Sequence, residues 1–250
     1  MRRYGLIGRS LRHSFSQRFF SQKFAREGRS DCQYELYELS DLSGFQDFVR
    51  THSELLGFNV TIPYKQQIVS LLDEVDVEAE RVGAVNTVRI FREGHSVRTV
   101  GYNTDVEGFR LSLVGHPLPD KALVLGTGGA SAAVMHVLHS WNVDCKQVSR
   151  TKRDGMFCYT ELSPAIVNAY QMIVNCTPLG MYPDVETKPE IPYDALTEHH
   201  FLYDLVYNPE ETMFLREGRL RGAQTQNGYS MLVLQAEASW KIWNASQRQI

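Results

Sequence analysis

The chain has 250 residues, of which 43% are hydrophobic and 22% charged, with a formal net charge of −3. That length suits one large domain or two small ones, and the composition excludes a disordered chain. The charge balance gives no basic footprint for nucleic acid or an acidic membrane, and no apolar run approaches the roughly 20 residues of a membrane span.

No long apolar stretch follows Arg2 and Arg3, so the N-terminus does not read as a secretory signal. Cys32, Cys145, Cys158 and Cys176 are scattered without a CxxC pair and read as reduced thiols of a cytoplasmic protein. The eight histidines lack partners at ligand spacing, so no metal site is expected.

In chain order, Tyr4–Gly8 reads as a strand, and Ser16–Glu27 as a helix with Phe19, Phe20 and Phe24 on one side. Strands follow at Tyr34–Leu39 and Phe58–Ile62, the second leading into a helix that opens at Pro63 and runs through Leu72. Val85–Phe91 and Ser96–Gly101 flank Glu93–Gly94 as a hairpin. Beyond it, strands at Ala122–Leu125, Val143–Ser149, Met172–Cys176 and Phe201–Val206 are separated by helical stretches, including Ala130–Trp141. That alternation implies a parallel sheet with crossovers. A last helix runs from Tyr229 to about Trp243.

The strand Ala122–Leu125 enters Gly126, Thr127, Gly128, Gly129, Ala130 and Ser131. Glycines there allow a tight turn and close approach of backbone to a pyrophosphate at a helix N-terminus. Ser131 stands where G-x-G-x-x-G/A carries Gly or Ala. The next strand ends in Ser149, Arg150, Thr151, Lys152 and Arg153, with no acid before Asp154. An NAD site places an acid there for the ribose 2′-hydroxyl, whereas guanidinium groups suit a 2′-phosphate, so the cluster favours NADP over a merely solvated basic turn.

In the first part, polar residues stand where stability would not place them. Lys65, in the first turn of the helix expected at Pro63, opposes the helix dipole at a cost of about 0.3–1 kcal/mol. It arrives with Asn59 and Thr61 at a strand-to-helix junction. Asn86 sits inside an apolar strand and needs partners if buried. Asp105 follows the next strand closely, either as a carboxylate beside Lys65 or as the N-cap of a helix near Val106. On the last helix, Gln235 is the polar member of a stripe with Met231, Ala238 and Ile242. It bonds a polyhydroxy ligand or a neighbouring backbone group.

Taken together, Arg12–Ser16, Gly57–Lys65, Gly83–Thr87, Asn103–Asp105, Gly126–Ser131, Ser149–Thr151, Asn175–Met181, Asp204–Tyr207 and Asn227–Ala236 resemble the shikimate dehydrogenase family, in order along nearly the whole chain. Departures are Thr127 and Ser149 for the family's common Ala and Asn, Gln17 for its usual Pro, and a short stretch after Arg153 that implies a trimmed helix.

The resemblance implies an α/β protein. Residues 1–104, completed by 228–250, form an N-terminal α/β substrate domain on which the C-terminal helix packs back. Residues 105–227 form a Rossmann-like, doubly wound NADP-binding domain. It implies reversible reduction of 3-dehydroshikimate to shikimate, on the route to chorismate and the aromatic amino acids. Lys65 and Asp105 would be catalytic. Ser14, Ser16, Asn59, Thr61, Asn86, Tyr207 and Gln235 would bind substrate. Gly126, Thr127, Gly128, Gly129, Ala130, Ser149, Arg150, Thr151, Arg153, Thr177, Leu205 and Gly228 would bind NADP. The partner is the small-molecule substrate, with a monomer or homodimer expected. Two alternatives share the scaffold, an NAD-preferring quinate/shikimate dehydrogenase and a non-catalytic nucleotide-binding regulator.

Overall fold

The computed structural model describes residues 1–11, 14–94 and 96–246. Arg12 and His13 of the proposed carboxylate segment lie outside the described residues. The chain divides into two compact units, Met1–Glu107 with Gln235–Ile250, and Gly108–Leu234. The cuts fall inside two helices, α4 (Thr104–Ser112) and α8 (Tyr229–Asn244), a little C-terminal to the boundaries expected from sequence.

The first unit holds a six-stranded mixed sheet in the order β2 (Cys32–Glu38), β1 (Arg2–Gly8), β3 (Leu55–Val60), β5 (Thr87–Glu93), β6 (Ser96–Tyr102), β4 (Glu74–Val75). β1 runs parallel to β2 and β3, and β5 pairs antiparallel with β3 and β6. The strand period of two sends Tyr4 and Leu6 into one apolar cluster and Ile7 into another. Helix α1 (Phe15–Arg26) buries Phe20 and Phe24 in the Tyr4 cluster, together with Trp240 and Trp243 of α8. Helix α2 (Phe45–Thr51) buries Phe45 and Val49 in the other. Helix α3 (Val77–Val82) begins where the Asp76 side chain accepts from Glu78 N at 2.9 Å. It ends at Gly83, whose φ of +69° is the left-handed stop that glycine adopts without strain.

The second unit is an all-parallel sheet, β12 (Gln224–Asn227), β11 (Phe201–Asp204), β10 (Met172–Asn175), β7 (Lys121–Leu125), β8 (Asp144–Ser149), β9 (Phe157–Cys158). Counted within the unit this is 6-5-4-1-2-3, the doubly wound order, which reverses direction at β7 and β10. Helices α5 (Gly129–Ser140), α6 (Pro164–Ala169) and α7 (Met213–Leu220) belong to its connections. Ala122–Leu125 and Met172–Val174 are fully buried, as central strands covered on both faces require.

One expected element differs. No α-helix opens at Pro63. After the cis Ile62–Pro63 peptide the chain turns, and only Gln67–Leu71 coils, as a 3₁₀ helix. The Lys65 carbonyl accepts from Val85 N at 2.7 Å and is therefore committed across the fold instead of to a helical turn. Lys65 therefore stands ahead of the 3₁₀ helix and opposes no α-helix dipole. The crossover after Arg153 is short, as expected, and consists of two-residue β9, a 3₁₀ turn and six-residue α6.

Candidate active site

Strand β3 delivers Asn59 and then the turn that carries Thr61 and Lys65. The N-terminal end of β5 and the residue before it deliver Asn86 and Thr87, and the first turn of α4 delivers Thr104 and Asp105. Lys65 Nζ donates to Asp105 Oδ2 at 2.6 Å. Asn86 Nδ2 donates to Asp105 Oδ1 at 2.8 Å, so both carboxylate oxygens are held. Asn86 Oδ1 in turn accepts from Thr104 N at 2.7 Å, which fixes the backbone immediately before Asp105. Side-chain exposure is 16% for Lys65 and 7% for Asp105, so the ammonium is the more accessible partner. Asp105 is not the helix N-cap, because α4 already includes Thr104 and it is Asn103 Oδ1 that accepts from Val106 N at 3.4 Å.

Behind the pair lies a buried polar network. Tyr34 OH donates to Asn59 Oδ1 at 2.8 Å, fixing which way the amide faces. Asn59 Nδ2 donates to Ser239 Oγ at 2.8 Å and Thr87 Oγ1 at 3.1 Å. Ser239 Oγ also lies 2.8 Å from Thr87 Oγ1 and 3.2 Å from Thr104 Oγ1, and donates to the Gln235 carbonyl at 2.9 Å. Gln235 Oε1 accepts from Thr104 Oγ1 at 3.5 Å. Asn59 and Asn86 therefore sit deep in the network, with Gln235 on its margin. Burial pushes the Tyr34 phenol well above its usual range, with Ser16 as its hydrogen-bonding neighbour. Ser14 precedes α1, makes no side-chain cap, and has a buried hydroxyl oxygen without a hydrogen-bond partner among the described residues. A buried orphan of this kind is unusual in a native fold and suits a bound ligand atom.

In the second unit β7 runs into Gly126, whose φ of +117° strongly favours glycine. Gly128 precedes α5 with no side-chain cap and open space where a Cβ would stand, so among the described residues no N-cap side chain accepts from the first-turn N–H groups of this twelve-residue helix. Gly129 and Ala130 open the helix, and Ser131 Oγ donates back to the Gly128 carbonyl at 2.7 Å. These features fit a pyrophosphate. Beyond β8, Ser149 Oγ is held by the Thr151 carbonyl and Lys152 pairs with Glu161. Arg150, Thr151 and Arg153 are exposed, and the two arginines have no ion-pair partner among the described residues. These free guanidiniums, with no acid at the strand end, fit a 2′-phosphate.

Thr177 follows β10, Leu205 follows β11, and Gly228 packs so closely on Leu205 that a Cβ would lie 2.2 Å from its carbonyl oxygen. Tyr207 lies in the second unit.

Sequence reasoning missed Tyr34, Thr87, Thr104 and Ser239. A usable signal existed for Ser239, which stands four residues after Gln235 on the same helix face.

The shikimate dehydrogenase substrate binding domain matches residues 6–88. The chain is 35% identical to a shikimate dehydrogenase (NADP(+)) of Methanococcus maripaludis, covering 98% of this chain and 93% of the relative. It superposes on the crystal structure of Thermus thermophilus shikimate 5-dehydrogenase in complex with NADP(H) and shikimate with a TM-score of 0.83 and 31% identity, over 98% of this chain and 94% of that one. It superposes on a Corynebacterium glutamicum quinate dehydrogenase in complex with NAD with a TM-score of 0.84 at 27% identity, over 98% and 94%. With residues of every family segment placed in the fold and near-complete coverage by relatives above 30% identity, the chain belongs to the shikimate dehydrogenase family.

Proposed function

We propose that the protein reduces 3-dehydroshikimate reversibly to shikimate with NADPH in the cytoplasm, as a monomer or homodimer. The observation that carries this is the Lys65–Asp105 pair at 2.6 Å, completed by Asn86 and set over a buried polar network. NADPH, when bound, supplies the hydride that adds to the ring ketone carbon. Negative charge then builds on the ketone oxygen, and the Lys65 ammonium neutralises it by donating a proton. Asp105 holds that ammonium in place and takes no proton itself. In the reverse direction Lys65 receives the proton of the ring hydroxyl.

Ser14 and Ser16 hold the substrate carboxylate, which the orphaned Ser14 hydroxyl supports. Thr61, Tyr207 and Gln235 bind ring hydroxyls, with Asn59 and Asn86 framing them from the network. On the cofactor side Gly126, Thr127, Gly128, Gly129 and Ala130 receive the pyrophosphate. Ser149, Arg150, Thr151 and Arg153 receive the 2′-phosphate, and Thr177, Leu205 and Gly228 the nicotinamide half. The functional division follows residues 1–104 with 228–250 for substrate and 105–227 for NADP.

The test is steady-state turnover of shikimate and of quinate with NADP⁺ and with NAD⁺, in the wild type and in Arg150→Ala. The expected result is the highest kcat/KM for shikimate with NADP⁺, and a KM for NADP⁺ that rises in the variant far more than the KM for NAD⁺. A preference for quinate with NAD⁺ would point to the quinate relatives. Cofactor binding without any turnover would point to a regulator.

A further inference from the structure

Asp204 closes β11 with its side chain fully buried, and it has no cationic partner among the described residues. An unpaired carboxylate at such a depth is costly unless donors surround it. Three do. Asn175 Nδ2 donates to Oδ1 at 2.9 Å, Val206 N donates to the same oxygen at 3.0 Å, and Thr212 Oγ1 lies 2.5 Å from Oδ2.

Two of these partners lead directly to residues of the proposed cofactor site. Asn175 Oδ1 accepts from Thr177 N at 3.0 Å and from Thr177 Oγ1 at 2.6 Å, so Asp204 orients the amide that shapes the turn after β10. That turn packs on the glycine loop, since a Cβ on Gly126 would lie 3.3 Å from the Cys176 carbonyl oxygen. Val206 N follows Leu205, and the Val206 carbonyl accepts from Gly228 N at 3.2 Å. Thr212 instead caps α7, accepting from Leu215 N at 3.3 Å.

We propose that Asp204 is a positioning residue for the cofactor, holding the Asn175–Thr177 turn and the Leu205–Val206 backbone through its hydrogen bonds and not through its charge. This rests on the NADP reading above. Burial pushes the carboxyl up to about 7 in spite of its donors. Among the described residues its charge reaches the phenols of Tyr193 and Tyr203. Burial raises both, Tyr203 to about 12, so neither titrates in the same range. A proton on Oδ2 can be given to Thr212 Oγ1 by reversing that one bond, which leaves Oδ1 free to keep both donors facing the cofactor loops. An amide at this position keeps the two bonds accepted by Oδ1 and donates its Nδ2 to Thr212 Oγ1.

The experiment is NADPH titration of the full chain by cofactor fluorescence, alongside steady-state kinetics, for Asp204→Asn, Asp204→Ala, Asn175→Ala and Thr212→Val. Asp204→Ala and Asn175→Ala are expected to weaken NADPH binding about tenfold, the usual scale for losing a buried hydrogen-bond partner, with the shikimate KM changing by less than about twofold. Asp204→Asn and Thr212→Val are expected to stay within about twofold of wild type, and wild-type affinity should be flat through the carboxyl's titration.

An Asp204→Asn protein as defective as Asp204→Ala overturns the proposal. So does an affinity step near neutral pH that Asp204→Asn abolishes, which would assign the role to the charge. If Asp204→Ala does not fold, the contrast between Asn175→Ala and Thr212→Val decides, and equal effects of those two overturn the idea. Because the titration needs neither substrate nor turnover, a wild type that binds NADPH but leaves shikimate unoxidised refutes the proposed reaction and leaves this inference standing.

Discussion

A carboxylate and an ammonium taken out of water together lose hydration on both groups, and such a pair persists only where further donors complete it. Asp105 meets that condition through Asn86, and Asn86 through Thr104 N. Asn86 was legible in the sequence as a polar residue in an apolar stretch, Lys65 as a cation arriving with Asn59 and Thr61 just after a strand, and Asp105 as a carboxylate close behind the next strand. Thr87 and Thr104 were not, since a single hydroxyl is as easily satisfied by local backbone. Asp204 bears on stability as well as on binding. Its carboxyl rises from the ordinary 3.8 to about 7, so the fold favours the neutral form. That stabilisation is complete below 3.8 and is lost as pH rises through 7. Glu161, held down by Lys152, and Glu217, held down by Lys188, act in the opposite sense at more acid pH. Chemical denaturation between about pH 5 and about pH 7 should therefore show stability falling by about 1.4 kcal/mol per pH unit from this group. In Asp204→Asn that component should vanish, and an unchanged slope in the variant would remove Asp204 as its source.

Among the elements, α8 does the most for the site. Its Ser239 and Gln235 reach the network while its other face is fastened to the first unit. Trp243 stacks on Tyr4 with ring centroids 4.9 Å apart, donates its indole N–H to the Val88 carbonyl at 3.0 Å, and fills the space left by Gly57, where a Cβ would lie 2.4 Å from its ring. Lys23 pairs with Glu237 at 2.7 Å, and Arg89 Nη2 donates to the Ala245 carbonyl at 2.6 Å, a cation where the helix dipole favours one. Trp243→Ala is expected to destabilise the protein by about 3–5 kcal/mol, measured by denaturant unfolding. A loss under about 1 kcal/mol would mean the helix is held elsewhere. The long apolar strands and α8 were legible from periodicity. β12, with the sequence Gln224–Thr225–Gln226–Asn227, was not, because an edge strand without an apolar residue leaves no period to read. The helix expected at Pro63 failed for a related reason, as the bond from Val85 N to the Lys65 carbonyl is a tertiary fact that no local pattern encodes.

At the scale of the whole molecule, alternating strands and helices with one glycine-rich turn were sufficient to imply a parallel sheet, and the observed strand order reverses at the strand that enters that turn. Strand order itself was out of reach of spacing, since it depends on crossovers whose hand and length the sequence specifies only weakly. The residues assigned to chemistry fall in the first unit and those assigned to phosphate in the second, apart from Tyr207 on the substrate side. The claim on which the proposed reaction turns is that Lys65 handles the proton while NADPH delivers the hydride. Pre-steady-state NADPH oxidation by 3-dehydroshikimate, in the wild type and in Lys65→Ala at saturating cofactor, tests it most directly. The rate of that step is expected to fall by at least about a hundredfold in the variant, with NADPH binding unchanged. A rate that stays within about tenfold of wild type, roughly 1.4 kcal/mol of barrier, would contradict the assignment.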